Sequence, residues 1–228
     1  MRLGVYCSDD RAAALLDAWR TAAEFTVVSA TDHDPWMSLS LPNLVRHDAW
    51  QELLADNRLD AVLIGGTEPS VLEAARKFAQ AGTPLWVLPH PQQGLLFAYE
   101  LNLAAQETQA PLQAVFPHRA SAVWHAASAK QTSPDYVEFV RRIPPATIAE
   151  KLLSPAEVDR HLLMDLDLLS WQLGHRARVT TLRSGETDSG IRRQTVTLGG
   201  EGVPEIVWSI EPSMDNVASA ECRFHSGG

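Results

Sequence analysis

A few residues of this 228-residue chain have types and spacings that chemistry uses. His161 and Asp165 stand one helical turn apart in EVDRHLLMDLDLL, so a helix there carries both on one face. An imidazole beside a carboxylate can move a proton near neutral pH, and the same spacing also makes an ordinary exposed ion pair. His90, between Pro89 and Pro91, is a proton relay or a loop histidine. Arg119, next to His118, is an anion holder or a linker charge. Asp167, on an otherwise apolar stretch, needs a hydrogen bond from the protein or from a ligand, because a buried carboxylate needs partners.

A second group lies near the N-terminus. The turn Cys7-Ser8-Asp9-Asp10-Arg11-Ala12 follows an apolar strand and opens a helix, which is where a dinucleotide-binding turn carries G-x-G-x-x-G. The three glycine positions hold Cys7, Asp9 and Ala12. Ala12 suits the third. Asp9 and Asp10 suit a helix N-terminus but repel an incoming phosphate. They are either helix caps, or part of a phosphate site in which Arg11 supplies the compensating charge. Asp32 ends the second strand, where this fold places the carboxylate that holds a ribose 2′-hydroxyl; it favours NAD over NADP, or it is a turn residue. Gly65 and Gly66 end another strand at the same sheet edge and join the candidate cofactor residues.

The elements that must position these residues are legible in the apolar pattern. Ala61-Val62-Leu63-Ile64 and Leu85-Trp86-Val87-Leu88 are unbroken apolar runs, as strands buried on both faces require. Pro69 opens a helix between them that runs to Ala81, and Gly82 stops it. Strands at 3–7, 24–30 and 113–116, and helices at 10–23, 49–57 (with Asp48 as N-cap) and 92–109, complete an order in which strands and helices alternate; residues 33–45 read as irregular. The pattern predicts a doubly wound Rossmann-like parallel sheet over 1–117. Beyond it, strands at 137–143, 178–182, 194–198 and 206–210 and a helix from Ser154 to Leu173 predict an α+β domain with an open antiparallel sheet over 118–228.

Composition bounds the rest. The chain is 45% hydrophobic and 21% charged, an ordinary globular balance. A net charge of −9 without a Lys/Arg-rich run argues against non-specific nucleic-acid binding. No apolar run approaches membrane-spanning length, and the N-terminus lacks signal-peptide architecture, so a cytoplasmic protein is expected. Cys7 and Cys222 make neither a disulfide framework nor a zinc site, and no metal is expected.

Three stretches resemble the Gfo/Idh/MocA family, the glucose-fructose oxidoreductase and inositol dehydrogenase group. They are Trp50 to Asp56 followed by Leu59-Asp60-Ala61-Val62, the helix end Ala79-Gln80-Ala81-Gly82, and Met164 to Gly174, which is similar to H-D-(I/L)-D-L-L-x-W-L-x-G. The resemblance implies an NAD(P)-dependent oxidoreductase acting on a sugar or polyol, and a homo-oligomer formed through the C-terminal sheet, with Trp208 and Ile210 on the exposed face. It also implies that the C-terminal domain is incomplete relative to the family. The family's E-K-P lysine falls where this chain has Leu88-Pro89-His90-Pro91. Its D-x-x-x-H pair falls on Arg160 and Met164. His90, His161 and Asp165 are the residues left to replace them, and Arg119 and Asp167 are the candidate substrate contacts. The alternative is a pseudoenzyme, a non-catalytic ligand-binding or partner-binding protein that keeps the scaffold.

Overall fold

The computed structural model of the chain describes residues 1–9, 11–20, 26–31, 44–120, 134–146, 151–174, 178–215 and 217–226. Two compact units divide it, Met1–Pro117 and His118–Gly228.

The N-terminal unit is built on a six-stranded parallel sheet in the order β3-β2-β1-β4-β5-β6. Its strands are β1 (Arg2–Cys7), β2 (Thr26–Thr31), β3 (Val45–His47), β4 (Ala61–Gly65), β5 (Leu85–Leu88) and β6 (Leu112–Ala114). The helices are α1 (Arg11–Arg20), α2 (Trp50–Leu54), α3 (Pro69–Gln80) and α4 (Gly94–Thr108). Every residue of β4 is buried, which is why its run is apolar without alternation. One face packs Val62 and Ile64 on Ala74, Ala75 and Phe78 of α3; the other packs Leu3, Val5 and Leu63 on Leu15 and Leu16 of α1. Pro69 stands in the first turn of α3, and Gly82 leaves its end with φ +75°. The strand order reverses direction between β1 and β4, so the ligand crevice of this fold class opens at the carboxyl ends of those two strands.

Two expectations change here. Val45, the last residue of the stretch expected to be irregular, opens an edge strand, Val45–His47, paired with β2. Asp48 is not the cap of α2: the N-cap position belongs to Ala49, with no side-chain hydrogen bond.

The C-terminal unit packs α5 (Pro155–Leu173) on a five-stranded sheet in the order β11-β7-β10-β9-β8. The strands are β7 (Tyr136–Ile143), β8 (Arg178–Ser184), β9 (Arg193–Gly199), β10 (Glu205–Pro212) and β11 (Ser219–His225). The sheet is mixed rather than wholly antiparallel, because β10 runs parallel to β7. β11 is an additional strand the pattern did not predict. Register brings Thr181, Val196, Trp208, Phe139 and Cys222 into one row across the sheet. Val196, Trp208 and Phe139 of that row are buried in the core with Val158, Leu168 and Leu169 of α5. Trp208 and Ile210 are therefore core residues, each 0% exposed, and the expectation of an exposed face fails for both. The opposite face carries rows such as Leu182, Thr195, Ser209, Val140 and Glu221.

Candidate functional site

At the carboxyl edge of the N-terminal sheet, the turn after β1 is closed by its own side chains. The Asp9 carboxylate, buried, accepts the Arg11 backbone N–H at 3.0 Å and the Arg11 Nε–H at 2.8 Å. This is the capping role open to Asp9, and it also takes up the charge of Arg11. The same guanidinium donates to the Pro89 carbonyl at 2.8 Å, so it reaches from the exit of β1 to the exit of β5. Ser8 donates its hydroxyl to Glu68, which follows β4, and this hydrogen bond holds the Glu68 carboxyl below the usual carboxylate range. Ala12 is fully buried.

Gly65, the last residue of β4, and Gly66 after it serve this packing. A Cβ on Gly65 would meet Cys7 Sγ at 2.6 Å and Leu88 Cβ at 2.9 Å. A Cβ on Gly66, which has φ +141°, would meet the Ser8 hydroxyl and would stand 2.6 Å from Glu68 Oε2. Glycine is thus required under the Ser8–Glu68 bridge, and the space above Gly66 is filled by those two side chains.

The tip of β5 is organised by a 3-10 turn, Pro91–Gln93. His90 Nδ1 accepts the Gln92 N–H at 3.2 Å, and the His90 N–H donates to Gln93 Oε1 at 3.0 Å. Gln93 Nε2 donates in turn to the carbonyls of Gly66, at 3.0 Å, and Leu88, at 3.2 Å. His90 is a cap of its own turn. No lysine stands at this tip, and the imidazole has committed one of its two nitrogens to the backbone.

A dinucleotide is the ligand this fold class takes at such an edge. The residues present do not fit its diphosphate. The helix N-terminus that would receive it already faces the Asp9 carboxylate, Arg11 is spent on Asp9 and Pro89, and the close-approach position at Gly66 is roofed. Asp32, the candidate ribose ligand, lies outside the described residues, as does Asp10.

In the C-terminal unit the candidates do come together, but in other pairs than their spacing suggests. Asp165 is 0% exposed. It accepts from Arg141 Nε at 2.6 Å and Trp208 Nε1 at 2.9 Å, and His118 Nδ1 stands 3.5 Å away. Burial alone would raise its carboxyl; hydrogen bonds from His118 and Arg141, the Arg141 charge and the Trp208 N–H outweigh that and hold it below its ordinary range. Among the described residues no hydrogen bond or ion pair joins Asp165 to His161, so the expectation of an exposed His161–Asp165 pair is wrong. Burial, reinforced by Arg141, pushes His161 down to about 4. Burial likewise pushes the Cys222 thiol up to about 12, which keeps it protonated and unreactive.

Arg119 donates through Nε to Asp167 at 2.6 Å, and its guanidinium lies 5.7 Å from the Trp171 ring centre. The consecutive residues His118 and Arg119 thus grip two aspartates of one helix. The charge of Arg119 is met by Asp167, and Asp167 has in Arg119 the hydrogen-bond partner that a carboxylate on an apolar helix needs. Met164 is buried in the core and Arg160 pairs with Glu157 at 3.8 Å.

Sequence reasoning passed over Glu68, Gln93, Arg141 and the true position of Trp208. Arg141 had a signal: it occupies the helix-facing phase of Val137-Phe139-Arg141-Ile143, where a charge must be paired. Among the described residues no group of His, Cys, Asp or Glu suits a metal ion, and no helix is long and apolar enough to cross a membrane.

No protein-family model matches the chain, and no curated protein matches it. Solved structures do. A putative myo-inositol dehydrogenase from Sinorhizobium meliloti superposes with a TM-score of 0.81 at 16% identity, over 99% of this chain and 73% of that one. An oxidoreductase from Agrobacterium radiobacter, in complex with NAD+, L-tartaric acid and magnesium, gives a TM-score of 0.81 at 14% identity, over 99% and 72%. A putative NADPH-dependent oxidoreductase from Desulfitobacterium hafniense gives 0.79 at 15%, over 99% and 70%. With a Rossmann-like sheet followed by a mixed sheet under one long helix, the chain has the two-domain fold of the Gfo/Idh/MocA-type dehydrogenases.

Proposed function

We propose that this protein is a non-catalytic relative of the Gfo/Idh/MocA dehydrogenases that keeps their scaffold for binding. Hydride transfer between a nicotinamide and a sugar hydroxyl needs a held cofactor and a group that takes the hydroxyl proton. The observation that carries the reading is the fate of the candidate proton carriers. His90 caps its own turn, Asp165 is locked between Arg141 and Trp208, His161 is withdrawn from neutral titration, and Arg160 and Met164 stand where the fold's acid and base belong. The ligand class carried over from the fold is a sugar or polyol. The face of the C-terminal sheet turned away from α5 is the proposed surface for a second copy.

The test is an assay of NAD+ and NADP+ reduction by the purified chain with myo-inositol, L-tartrate and glucose. No absorbance of reduced cofactor above the enzyme-free rate is expected. Sustained turnover with any of them overturns the reading.

A further inference from the structure

The bridges at the carboxyl edge of the N-terminal sheet do more than leave a cofactor site undeveloped. A diphosphate at a Rossmann turn is held by the first N–H groups of the following helix and by the positive end of its dipole. In this chain an anion is already there. Asp9 stands at the N-terminus of α1, its carboxylate accepting the Arg11 N–H at 3.0 Å and the Arg11 side chain at 2.8 Å. Its side chain is 5% exposed and that of Arg11 15%, so the pair is shielded from solvent. Arg11 then crosses to the Pro89 carbonyl, past the end of β4, which lies between β1 and β5. The Ser8–Glu68 bridge spans from the exit of β1 to the exit of β4, the two strands between which the order reverses. Each bridge crosses the crevice a dinucleotide would enter.

We propose that the Asp9 carboxylate occupies, from within the chain, the place of a cofactor diphosphate, and that the Arg11–Pro89 and Ser8–Glu68 bridges latch the crevice so that the N-terminal unit excludes dinucleotides. Asp9 is then the specificity-determining residue. A phosphate group has to displace a buried, doubly bonded carboxylate, meet Glu68 as a second like charge, and reach a guanidinium that is already neutralised. The inference rests on the reading above only in taking the crevice to be idle.

Calorimetric titration of NADH and of ADP into the wild type, Asp9→Asn, Asp9→Ala and the Asp9→Ala/Arg11→Ala double variant tests it, with circular dichroism to establish folding. The wild type is expected to show no saturation into the millimolar range. Asp9→Ala removes the carboxylate that neutralises Arg11 and is expected to bind both ligands about ten- to a hundredfold more tightly, the worth of one or two charge-assisted hydrogen bonds. The double variant is expected to lose that gain. Asp9→Asn keeps the shape and the acceptor for the Arg11 N–H, and is expected to gain less; if Asp9→Ala does not fold, Asp9→Asn decides. Micromolar binding by the wild type overturns the proposal. So does a folded single variant, Asp9→Ala or Asp9→Asn, that binds no more tightly than wild type, a result that leaves the loss of hydride transfer standing.

Discussion

Asp165 has no solvent to fall back on, so its stability depends on every partner staying in place. Asp165→Ala leaves Arg141 buried without its carboxylate, and a loss of about 3–5 kcal/mol is expected, read as a lowered denaturant midpoint at unchanged m-value. Trp208→Phe keeps most of the ring packing and deletes one donor; about 1–3 kcal/mol is expected in the same measurement. His161 sets a pH signature of known sign. Its native value near 4 lies below the 6.5 of the free side chain, so between those values the unfolded chain binds a proton that the native state refuses. Stability therefore falls as pH drops through that window, by at most about 3 kcal/mol and by less to the extent that water screens the part-exposed ring. The lowered Asp165 contributes in the same sense but in a more acid window: its stabilisation is present above the free carboxyl value and is lost as pH falls below it toward the native one. Thermal midpoints of wild type and His161→Gln across the window separate the two, because the variant should lose the slope. The need for a partner at Asp167 was readable from charge on an apolar helix, whereas Asp165 was read only as half of a pair with His161. The partners of Asp165 were not readable, because Arg141 and Trp208 come from strands whose pairing is set by the whole sheet.

Secondary elements were legible wherever burial leaves a local mark. Ala61–Ile64 and Leu85–Leu88 are apolar throughout because helices cover both faces of the N-terminal sheet, and Pro69 and Gly82 punctuate α3 at its two ends. Edge strands leave weaker marks. Val-Arg-His of β3 is too short to show a period, and Ser219–His225 is mostly polar. The parallel pairing of β7 with β10 has no local signature at all. Trp208 and Ile210 were misplaced by phase: Ile206, Trp208 and Ile210 alternate with Val207, Ser209 and Glu211, and the more apolar set belongs inside. Gly66 gives a test at this scale. Gly66→Ala puts a Cβ against the Ser8–Glu68 bridge at φ +141°, and a destabilisation of about 1–3 kcal/mol is expected in thermal or chemical unfolding.

Across the whole chain, the order of parallel strands followed by a helix on a second sheet was readable from pattern alone, and superposition on solved dehydrogenases agrees with it. The state of the cofactor edge was readable only as a conflict, an aspartate where a glycine belongs; that Asp9 and Arg11 satisfy each other required three dimensions. If copies associate through the sheet face turned from α5, Leu182→Glu should lower the molar mass measured by light scattering with little effect on melting, because Leu182 is 68% exposed and outside the core. The Asp9–Arg11 pair carries a thermodynamic consequence of another kind. A dehydrogenase that borrows its anion from solution has a melting temperature that climbs with cofactor concentration, by mass action. A carboxylate joined to its binding turn by two peptide links is present at a fixed effective concentration that dilution cannot reduce. Such a domain carries its own permanently bound ligand, and its unfolding curve should be the same in a nucleotide-rich and a nucleotide-free solution.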